Sequence, residues 1–374
     1  MKRGDLCIGI VTFPVSRNIP LSNLADVLSP LAAKELHIIT GDAGYSFFAR
    51  RGTIQAHVLK HKRTKTLFTR TINYVWTQLR ISWKLIKLRT NVDLWIFFIG
   101  GEGLALPVIT AKLLRKRIVI ASAGSGVKVA QAQSDPLAII ATFLQSITNR
   151  LSDRIILYSE RLIEEHGFQK HRTKISIAHK HFLDFDRFKV NKQFDERGNF
   201  IGFIGTLNKA KGVPNLLEAI SKVLSSENKV KFLIGGDGEL RGEVEEFSNS
   251  ENLNRKVKYL GWIAHDELPK YLNELKLLVL PSYTEGLPNI MLEAMACGTP
   301  FLATPVGAIP DIIKDGETGF IMKNNSPECI TENIVRALNH PKLEKIAQNA
   351  RVLVEKEFTY EKAVDRYREI LTSL

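Results

Sequence analysis

Two glutamates eight residues apart are the strongest candidates for chemistry in this sequence. Glu285 and Glu293 lie in EGLPNIMLEAMACGTP, which begins two residues after the apolar run LKLLVLPS. Pro288 suits the first position of a helix, where its missing N–H costs nothing. We therefore expect Glu285 in a loop and Glu293 in the second turn of a helix. The loop carboxylate could meet a sugar hydroxyl or a positive charge developing at an anomeric carbon, and the helical one could accept two hydrogen bonds from a ribose diol.

The start of this predicted helix is suited to phosphates. The amides of Gly286, Leu287, Asn289, Ile290 and Met291 are expected to lack partners, and the positive end of the helix favours anions. The alternative is that both glutamates are ordinary acids favoured by the helix dipole. This stretch alone does not decide between the two interpretations.

Three more stretches in the same half follow apolar runs. GTLNKAKG combines a glycine turn with Lys211 at a helix start, where it can hold a phosphate or simply be solvated. IGGDGELR contains Gly236 and Gly238, which permit close approach of a ligand or form a tight turn. LGWIAHDEL places Trp262 and Ile263 at a strand end, as an edge for a nucleobase, although Trp262 also fits a core position.

Strands alternating with helices must position these stretches. Apolar runs such as LCIGIVTF, ELHIIT, DLWIFF, RIVIAS and DRIILYS alternate with amphipathic stretches, and the pattern restarts at FIGFIG after the polar linker KVNKQFDERGN. This pattern predicts an α/β protein with two doubly wound Rossmann-like domains facing a cleft. We expect an N-terminal acceptor-binding domain over 1–190, a donor-binding domain over 191–355, and a C-terminal helix over 356–374 that crosses back. In such sheets, ligands bind at the carboxyl ends of strands.

The net charge of +13 is concentrated in the first half of the chain. No acidic residue lies between Asp42 and Asp93, where the stretch KHKRTKTLFTRTINYVWTQLRISWKLIKL mixes basic and aromatic residues. This stretch is either a helix with its apolar face in the core or a helix lying on an anionic bilayer. The candidate membrane residues are Lys60, Lys62, Arg63, Lys65, Arg70, Arg80, Lys84 and Lys87. No nucleic-acid motif accompanies the charge, so we expect no nucleic-acid partner.

Other sequence features indicate the expected location of the protein and whether it binds a metal. Three scattered cysteines form no disulfide framework, and the N-terminus lacks the pattern of a signal peptide. The longest apolar stretch is broken by Glu102 and Pro107, so we expect a cytoplasmic protein, with peripheral binding to the cytoplasmic membrane face as an option. The histidines and aspartates of HKHFLDFDRF could pass for metal ligands, but their spacing is weak evidence and we expect no metal site.

Taken together, these motifs resemble glycosyltransferase family 4, whose members have the GT-B fold. GTLNKAKG stands where the family has Gly-Arg-Leu followed by Lys-Gly, GGDGELR matches its Gly-x-Gly turn, and the segment from PSYTEG to TGFIM matches its Glu-x7-Glu segment nearly throughout. The tail FTYEKAVDRYREIL resembles the family's closing helix.

The resemblance implies a retaining, metal-independent hexosyltransferase that needs no cofactor. Its co-substrate would be a UDP- or GDP-sugar, and its acceptor a lipid-linked molecule or a polysaccharide in cell-envelope or glycan biosynthesis. Lys211 would bind the donor diphosphate, Glu293 the ribose and Glu285 the transferred sugar. The implied donor-binding residues are Gly205, Thr206, Lys211, Gly236, Gly238, Ile263, Gly286, Leu287, Pro288, Asn289 and Glu293.

The sequence departs from the family pattern at three places. Thr206 replaces the usual arginine, and Ala123 stands where many members carry a histidine. The glycine pair after the first strand is missing, so its acceptor-side role would fall to Ser16, Arg17 or Asn18. Two rival functions stay open: a nucleotide-sugar epimerase or phosphorylase of the same fold, and a non-catalytic membrane or nucleic-acid adaptor with a residual nucleotide-sugar pocket.

Overall fold

The protein consists of two compact α/β domains. The computed structural model describes residues 6–14, 19–61, 66–122, 138–165, 167–227, 229–251 and 253–374. The first domain comprises Met1–His181 and Tyr360–Leu374, and the second comprises Phe182–Thr359. The candidates Ser16, Arg17, Asn18, Lys62, Arg63, Lys65 and Ala123 lie outside the described residues.

The first domain is built on a parallel sheet with the strand order β3-β2-β1-β4-β5-β6-β7. The strands are β1 Ile8–Thr12, β2 Leu36–Gly41, β3 Ile54–Leu59, β4 Leu94–Phe98, β5 Arg117–Ser122, β6 Arg154–Leu157 and β7 Ile175–Ile177. The helices described between them are α1 Ile19–Leu28, α2 Asp42–Phe48, α3 Leu67–Lys87, α4 Ala105–Leu113, α5 Ala138–Leu151 and α6 Arg161–Glu165. Every residue of β1 and β4 is buried, as expected for central strands covered on both faces.

The second domain repeats this architecture with the order β10-β9-β8-β11-β12-β13. Its strands are β8 Phe200–Ile204, β9 Lys231–Gly235, β10 Val257–Gly261, β11 Leu275–Leu280, β12 Phe301–Ala303 and β13 Phe320–Ile321. Its helices are α7 Val213–Ser226, α8 Arg241–Asn249, α9 Leu268–Leu272, α10 Asn289–Ala296, α11 Ile309–Ile312, α12 Pro327–Leu338 and α13 Leu343–Glu357. The strand order reverses between β8 and β11, and this switch point is where open α/β sheets bind ligands.

The predicted fold class is confirmed, since the apolar runs of the sequence form the central strands of two parallel sheets. The sequence pattern missed β3, β7 and β13, and all three are edge strands. Edge strands are short or partly solvated, so their apolar pattern is weaker. In β7, for example, none of the three residues is buried.

The segment predicted as a linker packs against the second domain. Arg197 is buried and donates hydrogen bonds to the carbonyls of Leu275, Cys297 and Gly298. The side chain of Asn273 accepts from the amide of Asn191 at 2.7 Å. Because these bonds tie residues 189–199 to the second sheet, the structural division falls at 181/182 rather than at 190/191.

The C-terminal helix α14, Tyr360–Thr372, belongs to the first domain. It packs against α1, and the Tyr360 hydroxyl donates to the carbonyl of Asp26 at 3.0 Å. The division before this helix therefore falls at 359/360, a few residues after the predicted 355/356.

Candidate functional site

The second domain brings Lys211 and Glu285 together at its switch point. Lys211 follows β8 and Glu285 follows β11, two adjacent strands whose carboxyl ends meet at one edge of the sheet. The Nζ atom of Lys211 lies 2.5 Å from Oε1 of Glu285, whose side chain is 7% exposed. Ser282 Oγ donates to the same carboxylate oxygen at 2.7 Å. The carboxylate is therefore fixed by one cation and one hydroxyl.

Local backbone geometry brings the two loops into contact. Asn208 caps the single 3-10 turn Lys209–Lys211 by accepting from the amide of Lys211 at 2.9 Å. Gly212 has φ +72°, and a Cβ atom there would lie 2.1 Å from the carbonyl oxygen of Pro281. The amide of Tyr283 donates to the carbonyl of Ala210. Only a glycine permits this close approach, so the turn after β8 sets the position of Lys211.

The Glu285 loop is supported by three further residues, Thr304, Gly307 and Ala308. Thr304 Oγ1 donates to the carbonyl of Ser282 at 2.5 Å. Gly307 has φ +59°, and a Cβ atom there would lie 2.3 Å from the carbonyl oxygen of Glu285. The amide of Ala308 donates to the carbonyl of Gly286. These contacts leave the loop little freedom to move.

Helix α10 begins at Asn289, so Pro288 is the N-cap residue and not the first helical residue as predicted. Its carbonyl accepts from the amide of Met291 at 3.2 Å, which removes Met291 from the expected free donors. Within the described residues, the amides of Gly286, Leu287, Asn289 and Ile290 donate no hydrogen bond. Four backbone donors at the positive end of a helix are a suitable environment for a diphosphate.

Glu293 is buried one helical turn further on and is paired with a histidine. Its Oε1 lies 2.8 Å from Nε2 of His265, and the side chain of Glu293 is 8% exposed while that of His265 is 41% exposed. His265 was absent from the residues predicted for the site. Its position four residues after the strand-ending Gly261 was the available signal, because loops that follow strands face the same edge.

The glycine turns lie at the same edge of the sheet. A Cβ atom on Gly236 would lie 1.8 Å from the carbonyl oxygen of Gly205, and one on Gly238 would lie 2.3 Å from that of Leu207. The turns after β8 and β9 are therefore in direct backbone contact. Ile263 packs over Gly235, whose Cβ atom would lie 2.5 Å from Ile263 Cδ1.

Trp262 and Thr206 follow strands β10 and β8, respectively. Trp262 is 73% exposed, so the core interpretation of this residue is wrong. Thr206, in the place of the family's arginine, lies in the turn after β8, where its carbonyl accepts from the amide of Asn208.

In the first domain, a buried polar cluster surrounds Glu102, a residue that sequence reasoning used only as a break in an apolar run. Its Oε1 accepts from Ser122 Oγ and its Oε2 from Gln145 Nε2 at 3.2 Å. Thr148 Oγ1 donates to its carbonyl. Burial raises the pKa of Glu102 to about 7, against the lowering effect of the Ser122 hydrogen bond.

The alternative metal ligands have other roles. The Asp184 carboxylate accepts from the amides of Asp186 and Arg187, as in a turn cap. His179 accepts from Arg366, and His181 packs edge-on against Tyr158. Across the described ranges, no group of three or more His, Cys, Asp or Glu side chains is arranged to hold a metal ion.

Helix α3 presents most of its aromatic residues to solvent and buries Ile81 and Leu85 together with polar residues. Thr77, Gln78 and Ser82 are among its buried residues, whereas Trp76 and Trp83 are exposed. Tyr74 is the exception, since its hydroxyl donates to the carbonyl of Gly103. The exposed aromatic side chains therefore lie outside the core, whereas Ile81 and Leu85 of the same helix belong to it.

The exposed apolar surface extends beyond α3. Helix α3 packs against α4, and α4 packs against α5. Together the three helices carry most of the large exposed apolar side chains in the described residues, and we call this set the three-helix apolar face. Its members are Leu67, Phe68, Ile72, Val75, Trp76, Leu79, Trp83, Ile86, Ile109, Leu113, Ile139, Ile140 and Phe143. The last five lie on α4 and α5, outside the basic stretch that predicted a membrane-facing helix.

Basic residues accompany the three-helix apolar face. Lys87 Nζ lies 5.4 Å from the centre of the Trp83 ring, and Arg80 donates to the carbonyl of Lys60. Arg70 and Lys84 also belong to α3. Among the described residues, no helix has the length and apolarity needed to cross a membrane.

Comparison with known proteins finds a family model that matches most of the second domain. Residues 184–353 match the family model described as glycosyl transferases group 1. An uncharacterized glycosyltransferase of Methanocaldococcus jannaschii is 32% identical over 177 residues, which cover 47% of this chain and 48% of that protein. This match spans about half the length of that relative.

Two other comparisons cover nearly the whole chain. N-acetyl-alpha-D-glucosaminyl L-malate synthase of Bacillus anthracis is 25% identical over 354 residues, covering 90% of this chain and 88% of that protein. The crystal structure of HepE from Anabaena in complex with UDP superimposes with a TM-score of 0.77 at 16% identity, covering 98% of this chain and 100% of that one. At this identity the likeness shows the fold, which is the two-domain GT-B fold.

Proposed function

From the match of residues 184–353 to the glycosyl transferases group 1 family, we propose that the whole chain is a retaining hexosyltransferase. In this proposal a hexose-type sugar moves from a UDP- or GDP-sugar to a lipid-linked or polysaccharide acceptor. The main observation behind the proposal is the contact between Lys211, in the turn after β8, and Glu285, in the loop before α10. The presence of UDP in the related Anabaena structure supports a nucleotide-sugar donor.

Each group has a proposed task in the transfer. The diphosphate would lie against the amides of Gly286, Leu287, Asn289 and Ile290 and would pair with the Nζ of Lys211 in place of Glu285. Glu285 would then face the sugar, held by Ser282, while Glu293 and His265 would bind the ribose hydroxyls. Gly205, Thr206, Gly236, Gly238 and Ile263 would line the donor from the turns after β8, β9 and β10.

We propose that this transfer needs no metal ion. A leaving diphosphate needs positive charge to stabilise it, and a lysine with a helix N-terminus can supply what a divalent ion supplies elsewhere. Activity that persists in a strong chelator would agree with this, whereas loss of activity that Mn²⁺ restores would refute it.

A panel of nucleotide sugars tests the proposed function directly. A donor that binds only the folded protein stabilises it by RT ln(1 + [L]/Kd), so its thermal shift should saturate with concentration. The stabilising donor should then release its nucleoside diphosphate only when acceptor is added. An isomerised sugar without acceptor would indicate an epimerase, phosphate-dependent sugar release a phosphorylase, and binding without turnover an adaptor.

We further propose that the three-helix apolar face binds an anionic bilayer, from which a lipid-linked acceptor would be drawn. Exposed Trp76 and Trp83 suit the headgroup depth, and Arg70, Lys84 and Lys87 suit anionic lipids. Co-sedimentation with phosphatidylglycerol vesicles and release by salt are expected. Equal binding to phosphatidylcholine vesicles would contradict the electrostatic part of the proposal.

A further inference from the structure

A lysine is buried at the carboxyl edge of the first sheet, in the domain that does not carry the proposed donor residues. Lys180 is 2% exposed and follows β7 by three residues. Its Nζ lies 5.7 Å from the centre of the Phe98 ring, at the end of β4, and 5.9 Å from that of Tyr158, directly after β6. Three strand ends therefore meet around one cation. In a doubly wound sheet this edge is where ligands bind.

The charged groups around Lys180 are basic. His181 packs edge-on against Tyr158 with ring centres 5.0 Å apart, and His179 accepts from Arg366 at 3.3 Å. Burial lowers the pKa of His181, and the charges of Lys180, His179 and Arg366 lower it further. No carboxylate is among the groups that shift the pKa values of Lys180, His179 or His181. Among the described residues no carboxylate is seen to pair with Lys180, so an anion from outside could supply the counter-charge of its protonated form.

Two buried polar atoms beside this lysine also have no partner within the described residues. They are the Tyr158 hydroxyl and the Nδ1 atom of His181. Buried polar atoms in folded proteins are nearly always hydrogen-bonded, so an unpaired hydroxyl and an unpaired ring nitrogen in one cluster need an explanation. A ligand with several oxygen atoms would satisfy the Tyr158 O–H, the His181 N–H tautomer and the Lys180 ammonium.

We propose that Lys180, Tyr158 and His181 form a binding site for an oxyanion, either a phosphate ester or a carboxylate. The cation supplies the charge, and the phenol and imidazole supply directional hydrogen bonds. The site belongs to the first domain, whereas the residues proposed for the donor belong to the second. The proposal therefore does not depend on the proposed transferase activity.

Binding of two small probes to the full chain tests this site. Methyl phosphate and acetate are titrated into the wild type, Lys180→Met and Lys170→Met at constant ionic strength, and calorimetry measures the affinity of each protein for each probe. Lys170 is an exposed lysine of the same domain and controls for the loss of one charge. We expect saturable binding of at least one probe to the wild type and to Lys170→Met, and a loss of about tenfold or more in affinity in Lys180→Met.

The probe that binds identifies the ligand class: a phosphate ester, a carboxylate or, if both bind, oxyanions generally. Equal affinity in all three proteins, or no binding of either probe to the wild type, would overturn the proposal. Tyr158→Phe removes only the hydroxyl, so it tests the same site even if Lys180→Met does not fold. It should weaken the same probe by several-fold.

The pH dependence of acetate affinity provides a second readout. Burial lowers the pKa of Lys180 to about 7, while the pKa of His179 is lowered to about 3, that of His181 is lowered well below its usual value, and that of Tyr158 is raised well above its usual value. Acetate itself stays ionised above pH 6. Affinity should therefore fall between pH 6 and pH 9 in the wild type, as Lys180 loses its proton. The same fall in Lys180→Met would refute the role of this lysine.

Discussion

The Nζ atom of Lys211 lies 2.5 Å from Oε1 of Glu285, across the two strands at which the order of the second sheet reverses. The two residues are 74 positions apart in the chain. In this structure the lysine and the carboxylate partner each other. A bound diphosphate would compete for the lysine, which frees the carboxylate to face the sugar.

Replacing either member of this pair should cut turnover strongly. We expect Lys211→Met and Glu285→Gln each to lower kcat by about a hundredfold or more, because each removes a charge that acts on the transferred group or the leaving diphosphate. The measurement is nucleoside diphosphate release from the donor found by thermal shift. Lys231→Met is the matched control, since this exposed lysine begins β9 at the opposite end of the sheet.

The double variant sharpens this test. Because the two side chains contact each other, the combined loss should be smaller than the product of the single losses. Near-full activity in either single variant would contradict the assigned roles.

His265→Ala should weaken donor binding more than it slows turnover. The imidazole lies 2.8 Å from Glu293 and orients this carboxylate toward the proposed ribose. Loss of a hydrogen bond to a charged group predicts a rise of about tenfold in donor KM with kcat little changed. A fall in kcat at constant KM would instead place His265 near the reacting atoms.

Gly307→Ala should displace the Glu285 loop. The added methyl would lie 2.3 Å from the carbonyl oxygen of Glu285 and 2.5 Å from that of Gly286, at φ +59°. We expect a fall of about tenfold or more in turnover, since a small misplacement of a catalytic group is costly. Gly242→Ala in α8 meets no atom within 4 Å and should leave turnover unchanged. Equal turnover in the two variants would show that the loop tolerates displacement.

Glu102→Gln should remove a pH dependence of stability. The pKa of Glu102 is raised from 4.5 to about 7, so the folded state holds a proton that the unfolded state loses. The stabilising contribution is complete below about pH 4.5 and is lost as pH rises to about 7. The effect is on the order of 3 kcal/mol at about 1.4 kcal/mol per pKa unit.

Melting temperatures measure this difference. Glutamine can still donate to Ser122 and accept from Gln145, so the packing is kept. The Tm of Glu102→Gln relative to the wild type should rise between pH 5 and pH 8. The exposed Glu164→Gln is the control, and a constant difference for Glu102→Gln would contradict the raised pKa.

Phe143→Glu should weaken binding to anionic vesicles. Phe143 is exposed on α5, within the three-helix apolar face, and a glutamate there removes apolar area and repels anionic lipid. We expect at least a severalfold loss in co-sedimentation with phosphatidylglycerol vesicles. Val352→Glu makes a similar change at an exposed position of α13 in the second domain and should bind as the wild type does. Equal loss of vesicle binding in both variants would show that the added negative charge, and not its position on the three-helix apolar face, causes the loss.

The sequence by itself determined the central strands of both sheets, because buried parallel strands are continuous apolar runs. The order of the segments that bear Lys211, Glu285 and Glu293 can likewise be read from the sequence, since these segments follow such strands. The edge strands β3, β7 and β13 were not predicted, because short or partly solvated strands lack a continuous apolar run.

Only the tertiary structure decided which of these groups meet. The partners of Glu285 and Glu293 are set by strand order and by turns as tight as Gly212 against Pro281, and neither is written in local sequence. The same holds for the outward face of α3 and its continuation onto α4 and α5, because periodicity shows that a helix has an apolar side but not which side the sheet covers. Burial of Lys180 likewise depends on three strand ends that converge only when the sheet forms.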